Sequence, residues 1–150
     1  MEVNEKHERL VQEVKSQLYP WRKFTIGVDG HDGVGKSVLA RYLAWELDLP
    51  AIETDLLIVR DATPPAYRYD DLTGLVGARH TLNRPVILEG VFLLDTLDKI
   101  KVDCDFLIYV EGEKDDSSHL LTTKLREYDQ VFSPKTKANH VFTWRLTDEL

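Results

Sequence analysis

The sequence predicts an α/β protein in three layers, with helices on both faces of a mostly parallel sheet. Three observations carry this expectation. Short apolar runs alternate with segments of helical periodicity along most of the chain. One of those runs leads directly into a glycine-rich turn and then a helix. No repeat and no low-complexity linker interrupts the alternation. A chain of 150 residues, 43% of them hydrophobic, suffices for one core. The expected organisation is an N-terminal amphipathic helix in residues 1–20 and one domain in residues 21–150.

Leu10, Val11, Val14 and Leu18 form an apolar stripe on a charged segment, which predicts an amphipathic helix over residues 4–18, ended by Pro20. Such a helix covers the protein's own sheet or meets a partner. Residues 24–28 read as a buried strand, and Val38, Leu39, Tyr42, Leu43 and Leu47 recur at helical spacing after the glycine-rich turn. Pro50 stops that helix, and residues 51–54 read as a second strand that delivers Asp55 to its carboxyl end. Residues 60–70, with two prolines, read as a loop. Leu72, Leu75, Val76 and Leu82 predict a helix over residues 71–82. An apolar strand at 85–88 then ends in Glu89-Gly90. A short helix over 91–100 precedes the strongest strand signal, residues 105–110. A helix over 117–128 places Leu120, Leu121, Leu125 and Tyr128 inward, and residues 138–144 form the last strand.

The chemistry concentrates in Gly30-His31-Asp32-Gly33-Val34-Gly35-Lys36-Ser37, two glycines five positions apart followed by Lys and Ser. Glycines let successive backbone N–H groups turn toward a polyphosphate, and the following helix adds its positive end. Lys36 reaches outer phosphates and the Ser37 hydroxyl can ligate Mg²⁺. Glu89, at the tip of a buried strand, can reach that metal or its waters. Asp32 repels a triphosphate unless its side chain points outward.

Composition narrows the partners. A net charge of −7 argues against general nucleic-acid binding, which needs clustered Lys and Arg. The single cysteine, Cys104, allows no internal disulfide and reads as a small core residue. No apolar run is long enough to span a membrane, and the charged N-terminus is unlike a signal peptide, so a cytoplasmic protein is expected. His7, His80, His119 and His140 show no metal-ligand spacing, and His31 reads as a permissive loop position. Phe142 and Trp144 read as core. A homo-oligomer is compatible with the sequence.

Residues 24–144 resemble the P-loop small-molecule kinases, in particular the uridine kinase and phosphoribulokinase group. The resemblance rests on the 30–37 loop, the Thr54-Asp55 pair, residues 86–90 and the passage 133–141. It implies a P-loop NTPase fold with a five-stranded sheet ordered 2-3-1-4-5, to which the N-terminal helix is an addition. It also implies transfer of the γ-phosphoryl group of ATP, or of another nucleoside triphosphate, to a hydroxyl of a nucleoside or other small metabolite. Residues 30–37 would bind the nucleotide, Lys36 would neutralise the transferring group, and Ser37 and Glu89 would hold Mg²⁺. Asp55 matches the residue that accepts or orients the acceptor's proton; an N-cap for the following segment also fits it. A solvated strand-end carboxylate also fits Glu89.

The chain departs from this group in its arginines, which usually crowd a lid after the fourth strand. Residues 111–129 offer only Lys114, Lys124 and Arg126, of which Arg126 is the best clamp candidate. Arg60, Arg68 and Arg79 are other sources of positive charge. A nucleotide-binding module or an NTPase with little kinase turnover is therefore the competing expectation. The loop also resembles that of thymidylate kinases, but Glu89-Gly90 stands where those enzymes carry Asp-Arg.

Overall fold

The computed structural model describes residues 2–62, 66–112 and 119–144. Helix α1 spans Glu5–Leu18 and opens with a reciprocal cap. The Asn4 side chain accepts from Lys6 N–H at 2.9 Å, and His7 Nδ1 accepts from Asn4 N–H at 3.1 Å. Its buried stripe is the expected one, Leu10, Val11, Val14 and Leu18, and it packs on α2 and β7, defined below.

Strand β1 (Thr25–Gly30) is buried throughout, because helices cover both of its faces. It is followed by α2 (Lys36–Leu47), β2 (Ala51–Glu53) and a 3₁₀ turn at Thr54–Leu57. A small antiparallel ribbon of β3 (Ile58–Val59) and β4 (Ala66–Tyr67) leads to α3 (Tyr69–His80). Next come β5 (Val86–Glu89), α4 (Leu93–Lys99), β6 (Phe106–Glu111), α5 (His119–Phe132), α6 (Pro134–Lys137) and β7 (His140–Thr143).

The main sheet runs β2-β5-β1-β6-β7, and all four of its pairings are parallel. Counting only its own strands in chain order, this is 2-3-1-4-5, the order implied by the resemblance. Side chains alternate across it. Ile26, Val28, Phe106 and Ile108 face α1 and α2 with Leu10, Leu39 and Leu43, while Leu88 and Leu107 face α3 and α4 with Leu72, Val76 and Leu93.

Several expectations need correction. Val38, Leu75 and Leu82 are exposed: α2 turns Ala40, not Val38, to the sheet, and α3 buries only Leu72 and Val76. Helix α3 begins two residues earlier than its apolar spacing suggests and ends before Leu82, which lies in a turn. The 60–70 stretch includes β4, and Pro134 opens a short helix where no element was expected. Helix α5 continues to Phe132. Residues 117 and 118 of the expected helix, and the Leu120 side chain, lie outside the described residues, as does Lys114. No helix among the described residues is long and apolar enough to cross a membrane.

Candidate active site

Strand β1 is where the sheet order reverses: the chain leaves it to build β2 and β5 on one side, then β6 and β7 on the other. The crevice at the carboxyl ends of such strands is where open α/β sheets bind ligands, and the 30–37 loop starts at that end of β1 and leads into α2. Gly35 caps α2 at φ 91°, and a Cβ there would sit 2.9 Å from Nε1 of Trp144, so glycine is required on both counts. Lys36 is 6% exposed and its ammonium donates to the His31 carbonyl at 2.6 Å, within the loop. Burial lowers its pKa, opposed by the carboxylates of Glu89, Asp29, Asp32 and Asp55. Asp32 and Gly33 are exposed and Val34 is buried. The Asp32 carboxylate is thus free to stay in water.

Ser37 Oγ donates to Glu89 Oε2 at 3.2 Å. Parallel pairing sets Glu89 beside Val28, near the end of β1. Burial pushes the Glu89 carboxyl up to about 7, against the opposing pull of Lys36 and the Ser37 hydroxyl. Gly90 then allows a close approach: a Cβ there would fall 1.9 Å from Thr54 Oγ1. With β5 and the end of β2 this near, carboxylate oxygens of Glu53, Asp55 and Glu89 lie within 4.8 Å of one another. Arg41 Nη2 donates to Glu53 at 2.6 Å, and Asp55 is exposed inside the 3₁₀ turn, whose N-cap position is Glu53 and not Asp55. This is an oxygen donor set of the kind hard divalent cations take, with the Ser37 hydroxyl beside it.

The remaining candidates are dispersed. Arg126 is exposed on α5, Arg68 pairs with Asp71 at 3.6 Å, and Arg79 donates to the Pro85 carbonyl at the opposite end of β5 from Glu89. Arg60 is exposed after β3. Cys104 packs against Gly27, where burial pushes its thiol up to about 12. His80 and His140 serve the framework, against Thr25 at 3.2 Å and Glu13 at 2.5 Å.

Three residues stand out only in the structure. Asp29, fully buried, accepts from Gly30 N–H at 2.8 Å and from the Tyr128 hydroxyl at 2.5 Å. Burial pushes its carboxyl up to about 6. Asp129 meets His31 Nε2 at 2.8 Å, so His31 is a tied residue and not merely a permissive one. An acidic residue inside an otherwise apolar strand was the visible signal for Asp29; helical spacing placed Tyr128 inward, as it is, without revealing the partner of its hydroxyl, and nothing local marks Asp129.

No family model and no curated protein matches the chain. Solved structures do. A uridine kinase candidate from Bacillus stearothermophilus superposes with a TM-score of 0.69 at 17% identity, covering 95% of this chain and 100% of that one. A fructose transport system kinase candidate from Silicibacter sp. TM1040 gives 0.53 at 18%, covering 87% and 85%. The fold is that of a P-loop kinase. Identity this low speaks to the fold alone. In the P-loop kinase fold seen here, the Lys36 ammonium, the Ser37–Glu89 pair and the Asp55 carboxylate share one end of the sheet.

Proposed function

We propose that this protein is an ATP- and Mg²⁺-dependent kinase that transfers a phosphoryl group to a hydroxyl of a nucleoside or another small metabolite. The observation that carries the reading is the Ser37–Glu89 hydrogen bond, with Asp55 grouped beside Glu89 and Lys36 one residue before Ser37. Phosphoryl transfer needs positioning and charge neutralisation more than covalent chemistry, and these residues are suited to both.

Backbone N–H groups of residues 30–37 would hold the β- and γ-phosphates of the nucleotide. Lys36 would exchange its bond to the His31 carbonyl for one to the outer phosphates. Mg²⁺, held by Ser37 and Glu89, would neutralise phosphate charge. Asp55, exposed in the turn after β2, would orient the acceptor hydroxyl and take its proton as that oxygen bonds the γ-phosphorus and the bond from the γ-phosphorus to the bridging oxygen breaks, releasing ADP. A second reading, a nucleotide-binding module with little turnover, is favoured by the solvent-facing position of Arg126.

Incubation with ATP, Mg²⁺ and a panel of hydroxylated metabolites, followed by mass spectrometry, separates the two. A kinase adds one phosphate to an acceptor, Lys36→Ala loses the transfer, and Asp55→Asn slows it at least roughly a hundredfold. Tight ATP binding with no phosphorylated product would establish the binding module.

A further inference from the structure

Two consecutive side chains of α5 grip the phosphate loop at the residues on either side of Gly30. Tyr128 Oη donates to Asp29 Oδ2 at 2.5 Å while accepting from Leu94 N–H at 2.9 Å. Through its other oxygen, Asp29 accepts from Gly30 N–H at 2.8 Å. One residue on, Asp129 Oδ2 lies 2.8 Å from Nε2 of His31, whose carbonyl receives the Lys36 ammonium at 2.6 Å. We infer that Tyr128 and Asp129 are positioning residues for phosphate binding: together they hold the opening of the 30–37 loop in the form that receives a polyphosphate.

The inference rests on reading that loop as a phosphate site, and the physical argument is one of preorganisation. A loop that must be ordered when its ligand arrives loses affinity to that ordering. Here the ordering is built in from a neighbouring helix. The Asp29–Tyr128 bond is buried, so water does not compete for it. Tyr128 is itself fixed between the rings of Phe92 and Phe132, with centroids 5.6 and 5.2 Å away. The His31–Asp129 pair is partly exposed, at 25% and 35% of the side chains. Its effect falls on the carbonyl that Lys36 must leave when phosphate binds. With the imidazole pinned by Asp129, that carbonyl keeps its place after the ammonium departs.

Calorimetric titration with inorganic tripolyphosphate and with MgATP tests this, the first probe reporting on the loop without a base. In wild type both bind. Asp129→Ala weakens both by roughly fivefold or more, whereas Asp129→Asn, which still offers His31 an acceptor, stays within about twofold of wild type. His31→Ala combined with Asp129→Ala loses no more than the larger single loss, because both remove the same bridge. Tyr128→Phe, which keeps the ring packing and loses only the hydroxyl, also weakens both probes. Binding by Asp129→Ala and Tyr128→Phe within twofold of wild type, or additive losses in the His31/Asp129 double variant, would overturn the inference. If wild type binds neither probe, the phosphate-site reading itself falls.

Discussion

Gly90 decides how near the acidic ends of β2 and β5 can come. An added methyl would overlap Thr54 Oγ1 at 1.9 Å and push Thr54, and with it Asp55, away from Glu89. Gly90→Ala is expected to cost about 1–3 kcal/mol in urea unfolding and to weaken Mg²⁺ binding as the carboxylates separate. Glu89 carries a second expectation, in pH. Its carboxyl titrates near 4.5 when exposed and is pushed up to about 7 on folding. Between those values the folded state holds the extra proton, so this group's contribution to stability is fully present below 4.5 and is lost as pH climbs through 7. Asp29, raised from 3.8 to about 6, acts with the same sign. Metal binding needs the Glu89 carboxylate bare. Thermal melts from pH 5 to 8 should therefore show Mg²⁺ stabilisation growing with pH, and Glu89→Gln should remove that trend.

At the scale of elements, β1, β5 and β6 were legible because a strand covered on both faces must be apolar along its length. The helices were less so. An exposed Val38 or Leu75 carries the same apolar signal as a buried one, and only the packing of α2 and α3 against the sheet tells them apart. The same contrast is measurable. Phe106, fully buried in β6, should cost about 3–5 kcal/mol on truncation to Ala. Trp45, 84% exposed on α2, should cost less than about 0.5 kcal/mol on replacement by Gln, read by the same denaturation curves. The pairing of Ser37 with Glu89 was foreseeable because each ends or begins an element beside β1. The α5 contacts were not, since 99 residues separate Asp29 from Tyr128 and 98 separate His31 from Asp129.

For the molecule as a whole, the 2-3-1-4-5 sheet places loop and carboxylates at one end, while α1, α2 and the sheet bury the larger core beneath them. A ligand that binds only this assembled end must stabilise the entire fold. At a hundredfold excess over its dissociation constant, MgATP is expected to contribute about 2.7 kcal/mol, a rise in melting temperature of roughly 5–10 °C for a chain of this size. Lys36→Ala should show no such rise. An equal shift in that variant would place nucleotide binding elsewhere.

The indole of Trp144, pressed against Gly35, has an optical consequence. Of the three tryptophans, Trp45 lies near the C-terminal end of α2 and Trp21 precedes the start of β1, both at the ends of those elements away from the loop that joins them. With Trp21 and Trp45 replaced by Phe, all remaining indole emission comes from a ring in van der Waals reach of the loop. Any rearrangement there, whether from phosphate, metal or acceptor, becomes a change in the intensity and wavelength of a single fluorophore that the protein already carries.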